Sequence, residues 1–232
     1  IDGIDTAHKL CILSALAFEI KPEYKSLRVA GIRNVTAKDI GYAQELGYKI
    51  KILGISRCIK NKIFQSVEPC LVPADSNIGS VEGVFNAVYV EGDFAGTGLS
   101  IGRGAGGAPT ASAVVADIID LARGHKVLPF GIPAAEMKKA APAGTDEVFS
   151  RFYMRLEVVD RPGVLADVSA VMRDHNLSIE AVMQRGRDPD KPVSIVLTTH
   201  AVRQSDMEKA IARMAGLKAS IEPPHLMRIE SF

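Results

Sequence analysis

The 232-residue sequence has no tryptophan, which excludes nothing, and only three cysteines, which exclude a good deal. Cys11, Cys58 and Cys70 are odd in number and lack metal-ligand spacing. A disulfide framework is therefore not what organises the chain, and buried free thiols in a reducing cytoplasm are expected. The five histidines, His8, His125, His175, His200 and His225, are scattered with no pair at ligand spacing, so no zinc site is expected. Charge of one sign is also missing: 28 basic against 27 acidic residues leave a net charge of +1. That balance offers no electrostatic reason for binding nucleic acid or an anionic membrane. No apolar run approaches the ~20 residues of a membrane span, and no signal peptide is visible. Ser56, Ser100 and Ser112 lack a Gly-x-Ser-x-Gly elbow, so no hydrolase triad is expected. What remains, at 47% hydrophobic and 24% charged residues, is the composition of a soluble globular protein of one or two domains with real cores.

The opening stretch Ile1-Asp-Gly-Ile-Asp-Thr-Ala-His-Lys9 carries the sharpest local pattern. From Ile4 the positions Ile4, Ala7, Leu10, Cys11, Ser14, Ala15 and Phe18 form one helical stripe, with Asp2 and Asp5 as capping residues. Asp5 and Lys9 stand four apart on one face, acid first, the order the helix dipole favours. Taken alone, such a pair is a surface ion pair of about 0.3–0.5 kcal/mol. A strand is expected over Leu27–Ile32, then a helix from Thr36 to about Leu46 with a Thr36/Asp39 capping box and Gly47 as its stop. Extended runs 48–59 and 62–72 flank Asn61 and predict a hairpin. A further strand is expected over Phe85–Val90, sharing one sheet with the others.

Gly96 to Thr110 is glycine-rich and precedes a helix expected over Ala111–Ala122, with Pro109 suited to its first turn. Gly102, Gly104 and Gly107 formally satisfy Gly-x-Gly-x-x-Gly, but the second strand and the ribose-binding acid of a dinucleotide fingerprint do not follow. Two readings stay open: a tight strand-to-helix connection, or a side-chain-free backbone presenting amides at a helix start. Asp117 and Asp120 on that helix read as solvated or structural, and Asn86 and Asp93 receive no role from spacing. Residues 125–151 are rich in Gly and Pro with little periodicity and read as a linker packed on a neighbour.

From residue 152 the order is strand (Phe152–Val159), turn and helix (to Asp174), strand (Ser178–Gln184), hairpin loop (Arg187–Lys191), strand (Val193–Thr199), a helix capped by Ser205 (Asp206–Met214) and a last strand within Ala219–Ile229. The first helix carries the stripe Leu165, Val168, Val171 and Met172. This βαββαβ order predicts a four-stranded antiparallel sheet with two helices on one face. Gly163 in Asp160-Arg-Pro-Gly-Val-Leu165 either makes a simple turn or admits a ligand to exposed amides at a positive helix end.

Gly3-Ile4-Asp5-Thr6-Ala7-His8-Lys9 resembles the Gly-hydrophobic-Asp-x-Ala-x-Lys substrate helix of homoserine dehydrogenases, and Asp160-Arg-Pro-Gly-Val-Leu followed by Asn176-Leu-Ser-Ile179 resembles the ACT regulatory domain. The resemblance implies an α+β chain. Residues 1–124 would form a mixed α/β substrate-binding and dimerisation domain, 125–151 a linker, and 152–232 a ferredoxin-like ACT domain. It further implies Lys9 as the acid/base group and Asp5 as part of the amino-acid site. Gly104, Ala105, Gly106 and Thr110 match a segment that lies beside the dinucleotide in that family. The matching effector positions are Asp160, Gly163, Val164, Leu165, Asn176 and Ile179. The activity so implied is NADP- or NAD-dependent interconversion of L-homoserine and L-aspartate 4-semialdehyde, a step of threonine and methionine biosynthesis. Threonine is the expected effector, in a cytoplasmic homodimer or homotetramer. The family places a nucleotide-binding domain ahead of the first helix, so this polypeptide alone is expected to be inactive. The alternative is a non-catalytic dimerisation and amino-acid-sensing module.

Overall fold

The computed structural model describes residues 1–185 and 192–232, and the hairpin loop expected at Arg187–Lys191 lies outside the described residues. Helix α1 (Ile4–Phe18) buries Ala7, Leu10, Cys11, Ser14 and Ala15 of the expected stripe, while Ile4 at its start is exposed and Phe18 at its end half-buried. Its start corrects one expectation. Asp2 does not cap it; the cap position is Gly3, with φ of 80°, and no side chain caps the helix. A Cβ on Gly3 would come within 3.0 Å of Val67, so both backbone and packing demand glycine there. Asp2 instead receives a two-pronged bond from Arg33 at 2.5 and 2.9 Å.

The expected strand at Leu27–Ile32 shrinks to β1 (Arg28–Val29), whose parallel pairing reaches only Ser66 and Val67. Helix α2 (Ala37–Glu45) has the full capping box. The Thr36 amide donates to Asp39 at 3.0 Å, and the Asp39 amide donates back to the Thr36 hydroxyl at 3.3 Å. Strands β2 (Tyr48–Ile59) and β3 (Lys62–Pro73) form the hairpin, its two-residue turn at Lys60 and Asn61 held left-handed at φ of 49° and 64°.

The glycine-rich stretch differs from its expected form. Strands β4 (Phe85–Gly92) and β5 (Gly96–Arg103) make a separate two-stranded sheet, and helix α3 starts early, at Gly107, and runs to Ala122. A strand of alternating glycines shows no side-chain periodicity, so only its ladder with β4 reveals it.

Strand β6 (Phe149–Val159) begins inside the stretch expected to be linker. It is followed by α4 (Val164–Asp174), β7 (Ile179–Gln184), β8 (Pro192–Thr199), β9 (Val202–Arg203), α5 (Gln204–Ala215) and β10 (His225–Ile229). In α4 Val164 rather than Leu165 faces the core. Ser205 caps nothing; its amide goes to the Thr145 carbonyl, and Gln204 opens α5.

The C-terminal strands take the order β10-β6-β8-β7, all antiparallel. Met154, Leu156, Val168, Met207 and Met214 fill the space under α4 and α5. The opposite face packs Tyr153, Val196, Met227 and Ile229 on Ala43 of α2 and Leu71 of β3. The two halves of the chain share one eight-stranded sheet, because β10 pairs in parallel with β3 at Arg228–Cys70 and Ile229–Leu71. The buried Arg228 locks this seam. It bonds Ser150, donates to Gln204 at 2.8 Å and Glu68 at 3.2 Å, and lies over the rings of Phe64 and Phe152. The intervening segment packs on both halves. Ile63 donates to Ala141 and accepts from Ala143 at 2.8 and 3.0 Å, while Gln204 donates to Val148 at 2.9 Å.

Candidate functional site

Asp5 and Lys9 meet at the start of α1, with Nζ 2.8 Å from Oδ2 and the two side chains 81% and 55% exposed. The hydrogen bond from Lys9, then its charge, holds the Asp5 carboxyl below the usual carboxylate range. Asp5 lines a hollow of about 380 Å³ formed by residues 1–6, Ile32 and Ile52; Lys9 stands one turn further along and outside that lining. The two are held by helix geometry alone, four residues apart on a face that α1 turns away from Val67 and Leu27. His8 leaves this face and stacks obliquely on Tyr24, ring centroids 4.9 Å apart.

Gly104, Ala105 and Gly106 form the solvent-facing turn between β5 and α3, and Thr110 stands in the first turn of α3. The glycines there differ. A Cβ on Gly104 would lie 2.1 Å from the end of the exposed Asn86 side chain, which can swing aside, and the Gly104 amide is spent on Val84 at 3.1 Å. Gly106 is needed for its φ of 127°, and its carbonyl accepts from Thr110 at 3.1 Å. Gly107 has neither feature: its φ is ordinary and a Cβ there would meet nothing within 4 Å. The amides of Gly107 and Ala108 fall within the first helical turn, where no intrahelical carbonyl is available. They point a positive helix end at solvent, which suits one phosphate-sized anion. Among the described residues no hydrogen bond or ion pair joins this turn to Asp5 and Lys9.

In the C-terminal unit a hollow of about 90 Å³ opens between the end of β6 and the start of α4. Asp160, Gly163, Val164 and Leu165 line it, with Gly163 left-handed at φ of 94°. Asn176 and Ile179 do not line it. They lie past the far end of α4, whose 11 residues span about 16 Å. Gln184 also lines it, brought in by the β7–β8 register that sets it opposite Ile195. Only the strand pairing reveals Gln184; no local motif marks it. Among the described residues no cluster of His, Cys, Asp and Glu could hold a metal ion.

Residues 1–119 match the family model for homoserine dehydrogenase, and residues 152–219 match the model for the ACT domain. The chain belongs to the homoserine dehydrogenase family. It is 38% identical to the homoserine dehydrogenase of Neisseria gonorrhoeae, covering 100% of this chain and 54% of that protein. It is likewise 38% identical to that of Pseudomonas aeruginosa, covering 99% of this chain and 55% of the relative. The crystal structure of a homoserine dehydrogenase from Thiobacillus denitrificans superposes over 100% of this chain and 54% of its own, with TM-score 0.89 and 39% identity. The chain thus spans about half the length of the relatives it matches. The Asp5–Lys9 pair and the glycine turn fall inside the dehydrogenase match, and the smaller hollow inside the ACT match.

Proposed function

We propose that this chain is the substrate-binding and regulatory part of a homoserine dehydrogenase that interconverts L-homoserine and L-aspartate 4-semialdehyde. The observation that carries this is the Asp5–Lys9 contact beside the larger hollow, in the stretch matched to the family. Residues 1–124 serve the substrate, 125–151 connect, and 152–232 regulate.

An amino acid brings an ammonium of its own, and Asp5 is the carboxylate it meets in the hollow. Substrate ammonium and Lys9 then compete for one carboxylate, so binding opens the pair and frees Lys9 for the reacting oxygen. In the reductive direction the Lys9 ammonium donates a proton to the oxygen that was the aldehyde carbonyl; in the oxidative direction its neutral amine accepts the hydroxyl proton. A nicotinamide dinucleotide, NADP or NAD, supplies or accepts the hydride when bound. The residues present fit one end of such a cofactor. The free amides of Gly107 and Ala108 suit a phosphate, with Gly104, Ala105, Gly106 and Thr110 shaping the turn that presents them. In the ACT unit, an amino-acid effector, threonine, takes the hollow at Asp160 and Gly163 in a cytoplasmic homodimer or homotetramer. A second reading, a non-catalytic dimerisation and sensing module, is favoured by the openness of both Lys9 and the glycine turn in this chain.

The test is homoserine-dependent reduction of NADP or NAD by the full-length enzyme, wild type against Lys9→Ala, with and without threonine. Turnover is expected to fall by about two or more decades in the variant, with threonine inhibiting the wild type. Unchanged turnover removes Lys9 from the mechanism. Activity in the full-length enzyme that is absent from this polypeptide alone is expected, and the absence of turnover in both supports the sensing module instead.

A further inference from the structure

The start of α1 is tied to the C-terminal sheet by a short, continuous set of polar contacts running through residues 30–36. At one end the Ile32 amide donates to the Ile1 carbonyl at 2.9 Å, and Arg33 grips Asp2 through Nε and a terminal nitrogen at 2.5 and 2.9 Å. Gly31 lets the two strands of chain touch: a Cβ there would lie 2.2 Å from the Ile1 carbonyl oxygen and 2.6 Å from Asp2 Cα. At the other end stands Asp39, completely buried. Its two oxygens tie the segment to the C-terminal sheet. Oδ2 accepts from the Thr36 amide and hydroxyl at 3.0 and 2.6 Å, closing the capping box that ends the segment, and also accepts from a terminal nitrogen of Arg155 at 3.4 Å, with His225 Nδ1 3.2 Å away. Oδ1 accepts from the Tyr153 hydroxyl at 3.0 Å and Arg155 Nε at 2.7 Å, both on β6. Between the ends, the Val35 amide closes a turn on the Ile32 carbonyl at 3.1 Å.

We infer that segment 30–36 is the mechanical link between the regulatory sheet and the amino-acid site, with Arg33 as its positioning residue. Tyr153 and Arg155 set the place of Asp39 and hence of Thr36; the turn carries that place to Arg33, which sets Asp2 and the first turn of α1. A displacement of β6 next to the hollow at Asp160 then reaches Asp5 without crossing the hydrophobic core. β6 runs directly from Tyr153 and Arg155 to the Val158 and Val159 that line that hollow. Its effect on substrate rests on the role given above to Asp5; the link itself does not.

The experiment is a double-mutant cycle in the full-length enzyme. Arg33→Ala cuts the link at its α1 end, where the Arg33 side chain is 66% exposed and the fold does not depend on it. Tyr153→Phe removes one bond to Asp39 at the β6 end while keeping the ring, and Asp39→Asn is a stronger cut at the same place. Each is expected to raise the homoserine KM about three- to tenfold with kcat within about twofold. The double variant Arg33→Ala/Tyr153→Phe is expected to be no worse than Arg33→Ala, because cuts in series do not add, whereas independent distant sites do. The same cycle is read without activity as amide hydrogen exchange at Ile32 and Ala7, expected to quicken in Tyr153→Phe. Additive KM effects, or unchanged exchange at Ile32 in both Tyr153→Phe and Asp39→Asn, would overturn the link. A full-length enzyme that does not turn over homoserine yet shows the exchange coupling would sink the proposed reaction and support the link.

Discussion

The seam between β3, β10 and β6 and the unit made of β4, β5 and α3 are both built from apolar sequence, and they end in opposite conditions. At the seam Val67, Cys70, Leu71, Tyr153 and Met154 are fully buried. On α3 no residue is buried, although Val114, Val115, Ile118, Ile119 and Leu121 ring it. Phe94, at the β4–β5 turn, is 99% exposed. An apolar stripe asks for a cover, and whether the cover is present depends on what else the chain brings to that face. The seam is covered because α2, the β2–β3 hairpin and the C-terminal sheet all converge there. The β4–β5–α3 unit pairs chiefly within itself.

This contrast can be broken most forcefully at Arg228. Arg228→Ala would leave Glu68 without its cation and Ser150 and Gln204 without their donor, while Glu230 keeps Arg57 at 2.5 Å; the expected loss is about 3–5 kcal/mol in urea unfolding. A loss under about 1 kcal/mol would mean that the seam is held by packing alone. The next effect is set by acid. Burial raises the Asp39 carboxyl, but His225, Arg155 and Thr36 more than offset it and hold the group well below the usual carboxylate range. His225 Nδ1 contributes from 3.2 Å, off the line of a good hydrogen bond. With the folded pKa below the unfolded one, the native state binds fewer protons. The stabilisation is therefore complete above about pH 5 and fades as pH falls through the carboxylate range and below. Between about pH 5 and pH 3 the wild type should lose about 1 kcal/mol more than Asp39→Asn, and parallel curves for the two would remove Asp39 from acid stability. At the small end, Ile118→Ala on α3 should change the stability of this polypeptide by no more than about 0.5 kcal/mol, as for a surface site. A cost near the ~2–5 kcal/mol of a core truncation would show that α3 is covered in solution.

Much of this was legible along the chain. The stripe of α1, the Thr36–Asp39 capping box, the Asn61 hairpin and the βαββαβ order all rest on contacts a few residues apart or on strong periodicity. The Asp5–Lys9 contact and the left-handed Gly163 are local in the same sense. The strand hidden in Gly96–Arg103 was not legible, because glycine leaves no pattern for one face. Nor was the place of Gln184 in the lining of the hollow at Asp160, which depends on how β7 registers against β8. Asp39 shows both sides of the divide. Its capping bonds answer to Thr36, three positions away, while Tyr153, Arg155 and His225, more than a hundred positions on, hold both of its oxygens.

By itself, then, the sequence determined most of the elements, the Thr36–Asp39 capping box, the hairpin turn at Asn61, and the placement of an acid and a lysine on one helical face. These follow from backbone geometry and nearest-neighbour sterics. Only the tertiary structure decided that both halves share one sheet through β3 and β10, that Arg228 and Arg155 are the buried cations holding it, and that α3 stands uncovered. Those outcomes come from pairing and burial between residues far apart in the chain, where low dielectric and close packing turn ordinary charged and apolar side chains into specific contacts.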